Sequence, residues 1–441
     1  MKLADAFQVK GRFEAALVGA GGKTTAMFRL AQQLEGKVFL TTTTHLGLDQ
    51  VALADQHFVV RNPLELEAIL PGPAGKTILF SGPATDDGRV SSLNPETLNR
   101  LHEFSKEKNI HLLIEADGSR GLPLKAPADH EPAIPSWIER VIVVVGMKGL
   151  DQPLGPDWVH RAERFGAIAG ILAGAAITSD AISKVLVDSE GGLKNIPFNA
   201  ERIVLLNQAD TAELQAQAGK IAQEILGKYR IAMIGSMNEP ENEIAACYKP
   251  VAGIILAAGG STRFGKSKPL LDWKGKPFVH KIVQTAMDAG LNPILVITGY
   301  EGEAVRDAVI DLGVKFVFNP DWISGQASSV KAGLQALPDE TGGAIFLLAD
   351  QPQVTVTLLK AELDLCRQQL PPVIAPIIDG RRANPVLFDR AAFPALQTIS
   401  GDSGGRQVFS QFQVSWLEWN DRSQLLDVDT PEDYERLLRI Q

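Results

Sequence analysis

VAGIILAAGGSTRFGKSKPLL, residues 251–271, is the stretch on which the reading of this chain turns. Its apolar, β-branched start reads as a buried strand. The strand opens directly into Ala257-Ala258-Gly259-Gly260, where backbone N–H groups can approach an anion without side-chain obstruction. Arg263 and Lys268 follow at fixed offsets, a guanidinium fork and a point charge suited to a triphosphate. A glycine turn after a strand is common, but the full pattern L-A-A-G-x-S-x-R-x-G-x-x-K is far more specific.

Similar apolar runs recur on both sides of this stretch. EAALVG (14–19), KVFLT (37–41), HLLIEAD (111–117), RVIVVVG (140–146) and ERIVLLN (201–207) precede it. NPILVITG (292–299), VKFVFN (314–319) and AIFLLAD (344–350) follow. Short, continuously apolar runs alternating with helical patterns predict parallel sheets covered on both faces, hence an α/β protein of two doubly wound domains. The polar stretch MNEPENEIAACYKP (237–250) marks the break, giving domains 1–245 and 251–441. No fixed-period repeat is present, and the halves carry different motifs, as in a fusion.

Composition excludes other classes. The 441 residues are 45% hydrophobic and 22% charged, so neither a disordered nor a fibrous chain fits. The net charge of −9 argues against nucleic-acid and anionic-membrane partners. Two distant cysteines, Cys247 and Cys366, exclude a disulfide framework and suit a reducing compartment. The longest uncharged stretch, Phe165 to Ser179, is shorter than the roughly 20 residues a bilayer span needs. A cytoplasmic protein is the expectation.

In the second half, FLLADQP places Asp350 at the end of a strand, where open α/β sheets present their crevice. LLDVDTPEDY (425–434) adds Asp427 and Asp429, which share one face if the run is extended. These carboxylates could hold Mg²⁺ against phosphates. Alone, DTPED is an ordinary helix N-cap. The half resembles the MobA-like nucleotidyltransferases, and more closely their molybdenum cofactor cytidylyltransferase branch. The shared features are LAAGGSTRFGKSK, WISGQASSVKAG (322–333), ADQP (349–352), NPVLF (384–388), GDSGGR (401–406) and DVDTPEDY (427–434). The resemblance implies a Rossmann-like nucleotidyltransferase domain. It assigns Arg263, Lys268 and Asp350 to catalysis, Ala257 to Gly260 and Ser329 to the nucleotide, and Asp350, Asp427 and Asp429 to Mg²⁺. Asn384, Gly401, Asp402 and Arg406 then face molybdopterin, with CTP as the nucleotide substrate.

In the first half, ALVGAGGKTT (16–25) ends a strand and enters a helix. Gly21 and Gly22 permit backbone approach to phosphate, Lys23 suits the β/γ-phosphates, and Thr24 suits Mg²⁺, with Thr25 beside it. Leu17 stands where the usual phosphate-loop pattern has glycine. HLLIEAD brings Asp117 or Glu115 toward the metal, and the threonines of VFLTTTTHL (38–46) suit either metal or a sheet edge. In IVLLNQAD, Asn207 and Asp210 occupy positions from which a base is read. Arg120, Lys125 and Arg161 form either an anion site or salt bridges. Residues 1–245 resemble the YqeC family through GAGGKTT, TTTTHL, EADGSRGLPLKAPADHEPAIP (115–135), GLDQPLG…HRAERF (149–165) and LNQAD. The resemblance implies an accessory role for selenium-dependent molybdenum hydroxylases, while the motifs themselves predict a P-loop NTPase-like domain binding ATP or GTP.

The combined expectation is a molybdenum cofactor maturation enzyme that transfers CMP from CTP to Mo-molybdopterin, with a hydroxylase client. The alternatives are a nucleotidyltransferase using GTP or a sugar or polyol phosphate, and a non-catalytic cofactor-delivery chaperone.

Overall fold

The computed structural model describes residues 1–239, 242–260 and 267–440, so Arg263 lies outside the described residues. The chain divides into two compact units, Met1–Tyr248 and Lys249–Gln441. Both are α/β.

The first unit is built on a nine-stranded sheet. From one edge, its strands are Ile244–Tyr248, Ile231–Gly235, Glu201–Asn207, Arg140–Gly146, Glu14–Gly19, His111–Glu115, Val38–Thr42, Thr77–Ser81 and Gln56–Val59. All neighbours are parallel except the first pair. Glu14–Gly19 thus has parallel neighbours on both sides, and the helix Lys23–Gln33 starts at its C-terminal end. The sheet order changes direction at this strand, which opens a crevice there. The strand Ile244–Tyr248 lies inside the polar stretch 237–250 that marks the break, and it belongs to the first unit. It is an antiparallel, half-buried edge strand. Its Ala-rich sequence and acidic flank conceal it, because an edge strand buries too little to demand a continuous apolar run.

The second unit departs further from the expected parallel sheet. Lys315–Phe318, Ile294–Thr298, Val251–Ala257 and Gly343–Leu348 are parallel and adjacent in that order. Val386–Asp389 then pairs antiparallel with Gly343–Leu348 and with Val373–Ile378, and Val414–Glu418 pairs parallel with Val373–Ile378. The sheet is therefore mixed rather than uniformly doubly wound. Pro376 and Pro385 mask this region, since proline inside an apolar run argues against a strand. A signal for it exists in Asp379-Gly380, which joins Val373–Ile378 to Arg381–Arg382. Both residues have positive φ, 50° and 73°, as a tight hairpin of favourable twist requires.

Alternate side chains of the parallel strands enter two apolar layers, one on each sheet face. Ile255, Val296, Ile345 and Leu347 pack in one, and Ile254, Ile297, Ala344 and Phe346 in the other. Among the described residues, no helix is long and apolar enough to cross a membrane.

The helix Val356–Gln369 buries Glu362 completely, and among the described residues neither carboxylate oxygen has a hydrogen-bond partner. Loss of hydration pushes its pKa well above the ordinary carboxylate value. The folded state therefore holds the proton more tightly than the unfolded chain. Stability is greatest below the ordinary glutamate range and declines as pH rises above it. Glu362→Met is expected to stabilise the second unit by about 1–3 kcal/mol at neutral pH. The gain should shrink as pH falls toward about 4, the range in which an ordinary glutamate takes up its proton. Thermal unfolding of both proteins across this range checks it.

Candidate functional site

In the second unit, Ala257 closes the strand Val251–Ala257, and Ala258 is buried behind an exposed Gly259. Asp350 lies just past the end of the neighbouring strand Gly343–Leu348. Lys268 opens a short 3₁₀ turn, Lys268–Leu270. Its Nζ donates to Asp429 Oδ1 at 2.7 Å and lies 3.7 Å from Asp350 Oδ2. Asp427 Oδ1 accepts from Gln351 Nε2 at 2.6 Å, and the other end of that amide, Oε1, is buried with no partner among the described residues.

The DTPED motif serves two purposes. Thr430 and Asp433 form a capping box on the helix Pro431–Leu438, so the N-cap reading holds for them. Asp427 and Asp429 precede the cap, outside any strand, and are exposed on either side of buried Val428. Desolvation raises the Asp350 pKa, Lys268 opposes this, and the charges of Asp427 and Asp429 push it further up. About a third of its side chain stays accessible, at 34%. Among the described residues, no group of three or more His, Cys, Asp or Glu side chains is close enough to hold a metal alone. The arrangement fits a divalent cation that takes one or two carboxylates and completes its shell with phosphate and water oxygens. Carboxylates that repel one another around a single ammonium favour such a cation.

A cavity of about 350 Å³ lies close by, with Asn384, Asp402 and Arg406 in its lining and Leu256, Phe346 and Phe388 as apolar walls. Three of the four residues expected at an acceptor therefore meet in one place. Gly401, bonded to Asp402, lines a neighbouring groove with Phe318 and Lys331 instead. The WISGQ and GDSGGR segments interlock through their glycines. A Cβ on Gly325 would lie 2.6 Å from the Gly401 carbonyl carbon, and one on Gly404 would lie 2.5 Å from Gln326 Oε1. Ser329 is buried, and its hydroxyl accepts from Asn319 Nδ2 at 3.0 Å. It braces the start of the helix Gln326–Gln335.

In the first unit, Lys23 Nζ curls back to donate to the Gly19 carbonyl at 2.8 Å. It lies 3.2 Å from Asp117 Oδ1 and 4.0 Å from Glu115 Oε1. Thr24 Oγ1 donates to Glu115 Oε2 at 2.7 Å, while Thr25 is exposed on the first helical turn. Burial raises the Glu115 pKa, with Lys23 and Thr24 opposing it. Lys23, Thr24, Glu115 and Asp117 thus converge as the motifs imply. The loop itself is tightly braced. Gly19 N–H donates to Asp117 Oδ2 at 2.9 Å, and the Ala20 and Gly21 amides donate to the Val144 and Leu122 carbonyls. A Cβ on Gly21 would lie 2.3 Å from the Gly146 nitrogen. Gly22 serves as the helix N-cap.

Asn207 lies beside this loop, with its amide engaged at both ends. Nδ2 donates to the Gly21 carbonyl at 2.7 Å and Oδ1 accepts from Met237 N–H at 2.9 Å. Asp210 pairs with Lys148 at 2.9 Å. Both therefore have structural partners at the positions from which a base was expected to be read.

Lys125 and Arg161 resolve as salt bridges, not as an open anion site. Buried Lys125 donates to Asp117 at 2.8 Å and to Glu131 at 2.9 Å, and Arg161 forks onto both Glu131 oxygens. Burial opposes the Glu131 charge, but the hydrogen bonds from Arg161 and Lys125 prevail and hold its pKa at about 2. Desolvation, reinforced by Arg161, Lys125 and Arg120, lowers His160 to about 4, so it is neutral near pH 7. The sequence left Lys125 and Arg161 open between an anion site and salt bridges, and did not identify Glu131 as their shared partner, because nothing in local spacing pairs residue 131 with 161.

Comparison with known proteins adds to this geometry. The YqeC protein family model matches residues 15–163, and the MobA-like NTP transferase domain model matches residues 253–416. The uncharacterized protein YqeC of Escherichia coli (strain K12) is 33% identical over 216 residues, 47% of this chain and 81% of that protein. Nicotine blue oxidoreductase of Paenarthrobacter nicotinovorans is 32% identical over 197 residues, 43% of this chain and 96% of that protein. Molybdenum cofactor cytidylyltransferase of Escherichia coli (strain K12) is 25% identical over 182 residues, 41% of this chain and 92% of that protein.

The ion network predicts a specific acid response. Because the Glu131 pKa is depressed, its stabilisation is full above the ordinary glutamate range and is lost as pH falls toward about 2. Glu131→Gln should destabilise the first unit by about 3–5 kcal/mol near pH 7, since it leaves Lys125 and Arg161 short of a carboxylate. The penalty should diminish in acid. Urea unfolding at several pH values measures both.

Proposed function

Since this chain belongs to the YqeC family through its first half and carries a MobA-like NTP transferase domain in its second, we propose that it matures molybdenum cofactor by nucleotidyl transfer. The two functional regions are 1–245 and 251–441. The observation that carries the proposal is Lys268 held between Asp350 and Asp429 next to the Ala257–Gly260 loop.

On this reading the substrates are CTP and Mo-molybdopterin. An oxygen of the acceptor's terminal phosphate attacks the α-phosphorus of CTP. A new P–O bond forms as the bond from the α-phosphorus to its bridging oxygen breaks, and the electron pair leaves with pyrophosphate. In-line displacement of this kind needs positioning and charge neutralisation more than a protein base. The loop amides orient the triphosphate, and Lys268 and Arg263 neutralise it. Asn384, Asp402 and Arg406 receive the acceptor in the adjacent cavity. Asp350, with Asp429 or Asp427, would hold Mg²⁺, which when bound supplies Lewis-acid neutralisation of phosphate charge. The relative named molybdenum cofactor cytidylyltransferase supports CTP as the donor.

The first half is assigned ATP or GTP at Gly21–Thr25, with Thr24 and either Glu115 or Asp117 toward Mg²⁺, in support of a molybdenum hydroxylase client. Fusion raises the effective concentration of one half's product at the other. A second reading is favoured by the alignment with a protein named as an oxidoreductase. It is a cofactor-binding protein that transfers no nucleotide.

Pyrophosphate release from the purified chain with Mo-molybdopterin and Mg²⁺, comparing CTP, GTP and ATP, separates the two. Release is expected with CTP and should fall by roughly 100-fold or more in Asp350→Ala. Release with GTP alone would reassign the base. No release with any nucleotide would overturn the transferase reading in favour of binding and delivery.

A further inference from the structure

Trp322 occupies a place that the proposed chemistry leaves unassigned. It begins the 3₁₀ turn Trp322–Ser324, and its indole lies over the C-terminal ends of two adjacent strands, Val251–Ala257 and Ile294–Thr298. Two glycines make room for it. A Cβ on Gly260 would lie 3.0 Å from the indole Cζ3, and one on Gly299 would lie 2.7 Å from Cγ. The next residue, Tyr300, is 42% exposed, and its ring centroid is 5.7 Å from that of Trp322. The Tyr300 N–H donates to the Ala258 carbonyl at 3.2 Å, tying this aromatic pair to the loop.

The pair flanks the loop on the side away from the charges. The strand Val251–Ala257 lies between Ile294–Thr298, which leads to Gly299 and Tyr300, and Gly343–Leu348, which leads to Asp350. Lys268 and Asp429 gather with Asp350 on the second flank. A nucleoside triphosphate with its phosphates at the ammonium and carboxylates therefore directs its base toward the first flank. The faces of aromatic rings suit a flat π-system, and their negative quadrupole does not attract a phosphate.

We infer that Trp322, supported by Tyr300, is the stacking face for the nucleotide base. The assignment rests on the nucleotidyltransferase reading and adds a residue that sets nucleotide affinity. Stacking is tolerant of base identity, so this contact holds the base without choosing it.

The test compares Trp322→Ala and Trp322→Phe in the full chain, all in a Lys23→Ala background that removes the cation of the first-half loop, with circular dichroism confirming that each protein is folded. Calorimetry without acceptor measures binding of Mg²⁺-CTP and of Mg²⁺-tripolyphosphate, which has the phosphates and no base. Trp322→Ala should weaken CTP roughly tenfold, the low-to-middle range for losing one base stack, and leave tripolyphosphate unchanged. Trp322→Phe should keep most of the CTP affinity. Equal weakening of both ligands would overturn the inference and make Trp322 a wedge that shapes the loop. Unchanged CTP binding in Trp322→Ala would overturn it outright. A parent that binds no nucleotide at all would overturn the nucleotidyltransferase reading itself, and the assignment with it.

Discussion

Each unit is organised around one lysine ammonium held by carboxylates, all but Asp429 at or just past the C-terminal ends of parallel strands. Lys23 meets Asp117 and Glu115 in the first unit, and Lys268 meets Asp350 and Asp429 in the second. Removing a charge from water is costly, so such a group persists only where partners are delivered with good geometry. A parallel sheet provides this delivery. Its strands all end at the same edge, which brings residues far apart in sequence to one line. The strands, their order and the loops that follow them all serve this requirement.

The two centres differ in how far they are closed. Around Lys23 the network runs inward through Asp117, Lys125, Glu131 and Arg161, most of it buried. The amides of Gly19, Ala20 and Gly21 already have acceptors in the protein. Around Lys268 the carboxylates stay accessible, with Asp429 65% exposed, and a cavity lies close by. Accessible acids around one ammonium are suited to an incoming charged substrate. A buried, internally neutralised set is suited to holding a loop in shape.

Glycine contributes to the second unit in a way that motif patterns only partly reveal. Gly260 and Gly299 leave room for the Trp322 indole, and Gly325 and Gly404 let the WISGQ and GDSGGR segments interlock. Gly260 falls at an unspecified position of the phosphate-loop pattern, and Gly325 and Gly404 stand in the WISGQASSVKAG and GDSGGR stretches. What each makes room for is known only from its spatial neighbours. The same holds for Ser329, whose hydroxyl is turned to Asn319.

The sequence by itself determined the class of the fold, the two-part organisation and the segments that converge. Buried parallel strands need continuous apolar runs, and anion-binding loops need glycine and a cation at short, local spacing. It did not determine the antiparallel strands Val373–Ile378 and Val386–Asp389, or the closing strand Ile244–Tyr248. Their pairing depends on partners distant in the chain, and prolines or small residues blur their local signal. Only the tertiary structure decided that Lys125 and Arg161 neutralise Glu131 and that Asn207 braces a loop. It likewise decided that Gly401 lines a neighbouring groove while Asn384, Asp402 and Arg406 line one cavity. A side chain's partner is a matter of three-dimensional distance, and nothing in local spacing encodes it.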